Sequence, residues 1–169
     1  MHATKTLALA LAALAANGGA AALADITQID DRRGDAKCDS GPCPDLRSAV
    51  ADHGIFNENE LFYIVVQHNA VKRGQFPRIA INTSGSGTSG PEFYVEKRAS
   101  GAGVFNAKTG RKAGGAIWSS TRKVSATWTF LPSAIGNPGS YGWRVEVVAP
   151  GGRRIDATPD SGYRTHSLR

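Results

Sequence analysis

"KVSATWTF", Lys123 to Phe130, changes character at every residue. Val124, Ala126, Trp128 and Phe130 fall on one side of an extended chain, and Lys123, Ser125, Thr127 and Thr129 on the other. Successive side chains leave an extended backbone in opposite directions, so a repeat of two marks a β-strand with one dry face. "WRVEVV", Trp143 to Val148, repeats the pattern, with Trp143, Val145 and Val147 opposite Arg144 and Glu146. "LFYIVV", Leu61 to Val66, is apolar on both faces, as a central strand requires. "RIAIN" (78–82) and "EFYVEK" (92–97) add two short runs rich in β-branched and aromatic residues. Breakers at "TSGSGTSGP", "AKTGRKAGG", "SAIGNPGS" and "APGG" divide these runs. Many short strands with polar turns predict an all-β chain folded as one antiparallel β-sandwich, Ig-like or jelly-roll-like. The dry faces place Trp128 and Trp143 in its core.

The chain of 169 residues opens with Lys5, an apolar run from Leu7 to Ala16, and the small-x-small triplet Ala22-Leu23-Ala24. This is the layout of a secretory signal peptide, residues 1–24, cleaved before Asp25 to leave a single domain, 25–169. The apolar run is half the length that a bilayer-crossing helix needs, at about 20 residues, and no other stretch is long enough. A secreted, extracellular location follows. Both cysteines sit in "CDSGPC", and two cysteines so close in an exported chain are most simply a Cys38–Cys43 disulfide. The spacing suits neither a zinc site nor a C-x-x-C redox pair.

Several function classes lose support. The net charge of +6 is spread over scattered pairs such as Lys97-Arg98, Arg122-Lys123 and Arg153-Arg154 beside turns, which points to solvated loop ends and not to nucleic acid. "GSGTSG" (85–90) matches a dinucleotide fingerprint but is followed by Pro91 and a strand where a helix is required. No nucleophile elbow is present, and His53, His68 and His166 lack metal-ligand spacing, reading as surface or strand-end residues. The chain reads as a non-enzyme. Asn82-Thr83-Ser84 is a glycosylation sequon, with meaning only where the host glycosylates exported chains. Trp118 and Tyr94 are the aromatic rings freest to stack on a sugar.

"DDRRGDAKCDSGPCPDLRS", Asp30 to Ser48, crowds aspartates among Gly and Pro. Calcium takes six to eight oxygens from carboxylates, carbonyls and water, often on an irregular loop, and crowded carboxylates repel unless a cation neutralises them. Ion pairs with Arg32, Arg33 and Lys37 are the competing explanation. The segment that follows, "PDLRSAVADHG", has Leu46, Ala49, Val50 and His53 at helical spacing behind Asp45, while Leu46, Ser48 and Val50 would share a strand face. Local pattern alone leaves it open.

Taken in order, Asp31-Arg32-Arg33-Gly34-Asp35, then Asp45-Leu46, then "INTSGSGTSGPEFYVE", "YGWRVEVV" and Asp156-Ala157-Thr158-Pro159-Asp160-Ser161-Gly162 resemble the DOMON-like β-sandwich family. That family includes modules similar to the calcium-bearing C-terminal domain of glucodextranase and to family 9 carbohydrate-binding modules. The resemblance implies a strand at 46–50 and a calcium ion held where the N-terminal loop meets the C-terminal segment, by Asp31, Asp35, Asp45 and Asp156. It also implies a glycan or cell-surface polymer as ligand. An exported structural or protein-interaction domain, of adhesion or envelope type and without a small ligand, is the alternative.

Overall fold

The computed structural model describes residues 26–32, 34–38, 44–56, 59–68, 75–85, 89–121 and 125–167. The signal-peptide assignment, Arg33, Asp39 and Cys43 lie outside the described residues, and so therefore does the Cys38–Cys43 pairing. Among the described residues, eleven antiparallel strands carry the fold. They are β1 (Thr27–Asp30), β2 (Leu46–Phe56), β3 (Asn59–His68), β4 (Phe76–Asn82), β5 (Phe93–Arg98), β6 (Gly101–Asn106), β7 (Lys112–Thr121), β8 (Ser125–Phe130), β9 (Ser140–Val148), β10 (Arg154–Thr158) and β11 (Arg164–Ser167). No helix among the described residues is long and apolar enough to cross a membrane.

One sheet runs β1-β2-β3-β8-β7 and the other β7-β6-β5-β4-β9, with β10 and β11 both pairing along the far edge of β9. Their inner faces make one core, in which Ala126, Trp128 and Phe130 meet Ile79, Ile81, Val95, Val104, Trp143 and Val145. The decisive stretch behaves as its repeat demands: Ser125–Phe130 alternates half-buried and buried at every residue, and Trp128 and Trp143 are both sealed from solvent.

Strand β7 belongs to both sheets, pairing with β6 through Lys112–Gly115 and with β8 from Ala116 onward. The breaker "AKTGRKAGG" divides β6 from β7, its second half entering β7. Asn106 Oδ1 accepts from the amides of Lys108 and Thr109, closing a tight turn, and the chain re-enters a strand at Lys112. The glycine pair serves the crossing. A Cβ on Gly114 would stand 2.5 Å from Ala134 Cβ, on the short 3-10 helix Pro132–Ile135 that packs against β7. On Gly115 a Cβ would meet nothing within 4 Å.

Three further differences from the sequence expectations arise from closure of the sandwich. The β pattern starts before the aspartate loop, since β1 pairs with β2, and the segment after Asp45 is strand, as the resemblance implied and the helical spacing did not. His166 is completely buried where a surface or strand-end residue was expected; its Nδ1 hydrogen-bonds Thr27 Oγ1 at 3.0 Å and fastens β11 to β1. Asn82 is buried as well, with its side-chain amide donating to Ser89 Oγ at 2.7 Å, so the sequon nitrogen is engaged in the folded chain.

Candidate functional site

The site forms where the two ends of the domain meet. After β1 the chain loops through Asp31 to Lys37. The Asp31 amide donates to Arg47 O, and the Lys37 amide donates to Ile155 O on β10. Gly34 takes a left-handed backbone, φ 82°, which a residue with a Cβ adopts at a cost. That turn aims its amide at Asp45 Oδ1, 2.9 Å away. Strand β10 contributes a bulge: its register with β9 slips between Arg154 and Asp156. A bulge re-aims side chains. Asp156 here accepts the Leu46 amide at 2.7 Å on Oδ2 and the Ala157 amide at 2.9 Å on Oδ1, so β10 is tied to the start of β2.

These connections bring Asp31, Asp35, Asp45 and Asp156 into one cluster, and the turn after β10 adds Asp160. Ligand oxygens of Asp31, Asp35 and Asp160 lie within 4.8 Å of one another, as do those of Asp35, Asp45 and Asp156. Asp45 and Asp156 are buried, Asp31 and Asp35 half-buried, and Asp160 exposed. Asp160 was absent from the residues expected to hold a cation, although it stands in the same closing segment as Asp156.

Among the described residues, which exclude Arg33, the electrostatics are those of like charge. Burial pushes the Asp31 carboxyl up to about 7; the Thr158 hydroxyl beside it pulls it back, and Asp156, Asp35 and Asp160 raise it further. Asp35 is raised by burial first, then by the neighbouring Asp160. Asp156 is raised by burial and by Asp35 and Asp45, against the lowering effect of the Leu46 and Ala157 amides. Among the described residues the ion pairs run elsewhere, from Arg78, Arg144 and Arg154 to Glu146 and from Arg78 and Arg98 to Glu96. Of the three counter-charges considered, Arg32 and Lys37 are exposed and Arg33 lies outside the described residues.

A hard cation fits this donor set. Asp31 Oδ2 and Asp35 Oδ1 are shut off from solvent without a hydrogen-bond partner among the described residues. Thr158 Oγ1, on a side chain with no exposure at all, lies against the Asp31 carboxyl and hydrogen-bonds it. Oxygens bound to one calcium at about 2.4 Å stand at most about 4.8 Å apart, so each group of three is compact enough to share an ion. Every donor is oxygen, which suits calcium and not a thiolate- or imidazole-seeking metal.

The two aromatic candidates lie elsewhere. Trp118, on β7, is half-buried beside Trp128 at 6.0 Å between ring centres, and Lys97 Nζ sits 4.2 Å above it. Tyr94, on β5, lies on the outer face of its sheet under the Arg78 guanidinium, 3.8 Å from the ring centre. Neither ring joins the acidic cluster.

Comparison with family models, with curated proteins and with solved structures returns no match. The DOMON-like resemblance therefore rests on its motifs alone.

Proposed function

We propose that the chain is an exported, non-catalytic binding domain for a glycan or cell-surface polymer, with calcium joining its two ends. One observation carries the calcium half: five carboxylates from both ends of the domain converge around buried oxygens that have no hydrogen-bond partner among the described residues. Asp35 would hold the ion together with Asp45 and Asp156 or with Asp31 and Asp160. Its chemistry would be neutralisation of their mutual repulsion, so that the loop after β1 and the end of β10 stay together.

The polymer half is supported by the order of the sequence motifs and by the half-buried Tyr94 and Trp118. One detail favours the second reading, an adhesion or envelope domain without a small ligand. Arg78 and Lys97 each cover a ring face that a sugar would otherwise stack on.

Two measurements separate these readings. An ion that binds only the folded state raises stability by about 2.7 kcal/mol at a hundredfold excess over Kd. The melting temperature of chelator-treated protein should therefore rise with millimolar calcium and much less with magnesium, which demands a tighter octahedron. No rise with calcium removes the site. Co-sedimentation with insoluble polysaccharides, in calcium and in chelator, then tests the ligand; retention on none of them moves the assignment to the interaction domain.

A further inference from the structure

The guanidinium over Tyr94 belongs to a larger arrangement on the outer face of the second sheet. Strand pairing sets Arg144, Ala80, Tyr94, Phe105 and Lys112 in one row across β9, β4, β5, β6 and β7. The row beside it sets Glu146 against Arg78 and Glu96 against Gly103. Both glutamates are buried, Glu146 at 2% and Glu96 at 5% exposed.

Four arginines converge on these two acids. Arg78 Nε and Nη2 lie 2.9 and 2.8 Å from Glu146 Oε2, and Arg144 Nε and Nη2 lie 2.8 and 2.7 Å from Glu146 Oε1. Arg98 Nε donates to Glu96 Oε1 at 2.6 Å, and Arg154 Nη1 stands 3.9 Å from Glu146 Oε1. Three of the guanidinium groups also sit over rings, Arg78 over Tyr94 at 3.8 Å, Arg98 over Phe105 at 3.7 Å and Arg144 over Tyr163 at 4.9 Å. Arg98 and Arg154 come from two of the scattered basic pairs of the sequence, and the sheet brings them to one face.

The cations outnumber the acids. Lys112 is exposed and lies over Gly103, where a Cβ would stand 2.9 Å from its Cε. Glu92, just before β5, is a further carboxylate at the margin, and one of its oxygens accepts the Thr83 amide. Among the described residues, five cations against three carboxylates leave two positive charges in excess. Unused donors remain as well, since a guanidinium carries five N–H groups. Arg78 Nη1 is 3.7 Å from Glu96, beyond hydrogen-bonding range, and Arg144 Nη1 has no acceptor among the described residues. Glutamates and rings already order these arginines, so binding an anion costs little further side-chain freedom.

Covered ring faces leave no room for a neutral sugar or a base to stack. What the face offers is N–H donors on guanidinium planes, which suit carboxylate or sulfate. Arg144, Arg78 and Arg98 stand on three successive strands, β9, β4 and β5, and adjacent strands lie about 4.8 Å apart. A linear polymer crossing the strands would meet one cation on each. We propose that this face binds an anionic polysaccharide, with its acidic groups on Arg144, Arg78 and Arg98 and with Arg154 and Lys112 at the margins. This rests on the polymer reading above and gives that polymer its charge.

Fluorescence anisotropy of the folded protein with four labelled probes tests it: hyaluronate, which carries a carboxylate on alternate sugars, dextran sulfate, neutral dextran and polyglutamate. The salt is set at about 150 mM, where attraction between charges more than about 8 Å apart is screened. Hyaluronate or dextran sulfate should bind, the tighter of the two telling which acid is read, and neutral dextran should not. Arg98→Gln combined with Arg154→Gln should weaken binding about tenfold, the loss of two partly exposed charge contacts. Arg32→Gln combined with Lys37→Gln, an equal loss of charge on the loop after β1, should leave it within about twofold. Arg154→Gln alone, on a side chain 46% exposed, should weaken binding about threefold and keeps the test open if the pair fails to fold. Equal weakening by both pairs overturns the face in favour of diffuse attraction. Polyglutamate bound as tightly as either acidic glycan overturns the polysaccharide in favour of an acidic protein. Binding of neutral dextran alone overturns the anionic ligand and leaves the polymer reading standing. Binding of none of the four also overturns it, and co-sedimentation with insoluble polysaccharides then decides the polymer reading separately.

Discussion

Asp31 keeps a proton up to about pH 7 in the folded chain because it is partly buried among Asp156, Asp35 and Asp160. Asp35 and Asp156 are shifted in the same direction. A carboxyl whose folded pKa lies above its unfolded value of 3.8 makes the folded state the better proton binder. Its stabilising contribution is complete below the unfolded pKa and is lost as pH rises through the folded one. Chelator-treated protein should therefore melt at a falling temperature from pH 5 to pH 8. Calcium should flatten that fall by standing in for the protons, and Asp31→Asn should shrink it in chelator. A melting temperature in chelator that does not change over this range would show that the carboxylates are not packed against one another. Glu146 shows the contrasting case. It is 2% exposed yet sits within 2.8 Å of Arg78 Nη2 and 2.7 Å of Arg144 Nη2, so its charge is compensated from its own strand and from the neighbouring β4.

At the scale of elements, β7 is the strand on which the two-sheet architecture turns. It leaves one sheet and enters the other within ten residues, and the crossing packs its backbone against the short helix at Pro132–Ile135. Gly114→Ala would drive a methyl group to 2.5 Å from Ala134 Cβ. Overpacking of this kind costs about 1–3 kcal/mol. Gly115→Ala meets open space and has no left-handed backbone to strain, so it should be near neutral. Urea unfolding of the two variants makes the comparison, and equal stabilities would contradict the packing of β7 on the helix. The bulge in β10 is the corresponding device at the site, where one extra residue turns Asp156 toward the start of β2.

At the scale of the whole molecule, the sandwich is fastened at both open edges, by Thr27 with His166 between β1 and β11 and by Asp156 with Leu46 between β10 and β2. Intact mass of the exported protein should match a chain starting at Asp25 and lacking two hydrogens for the proposed Cys38–Cys43 bond. Retention of Met1, or two alkylatable thiols without reductant, would refute those assignments. Closing so short a loop is worth about 2 kcal/mol on the chain-entropy model, so reduction should leave the sandwich folded.

The strands were legible because a two-residue repeat is a local property: the face of Trp128 or Val145 follows from its immediate neighbours. Residue types at the site were legible for the same reason, since crowded aspartates announce themselves. By itself, then, the sequence determined the all-β class, the dry faces of β8 and β9, and the crowding of Asp31, Asp35 and Asp45, while Asp156 was joined to them only by the family resemblance. Only the tertiary structure decided that Asp160 and Thr158 join them, that Glu146 and His166 are buried, and that Trp118 packs beside Trp128. Each of those outcomes depends on partners brought in by strand pairing and sheet closure. Leu46 and Asp156 stand 110 residues apart along the chain, and no local pattern carries information over that distance.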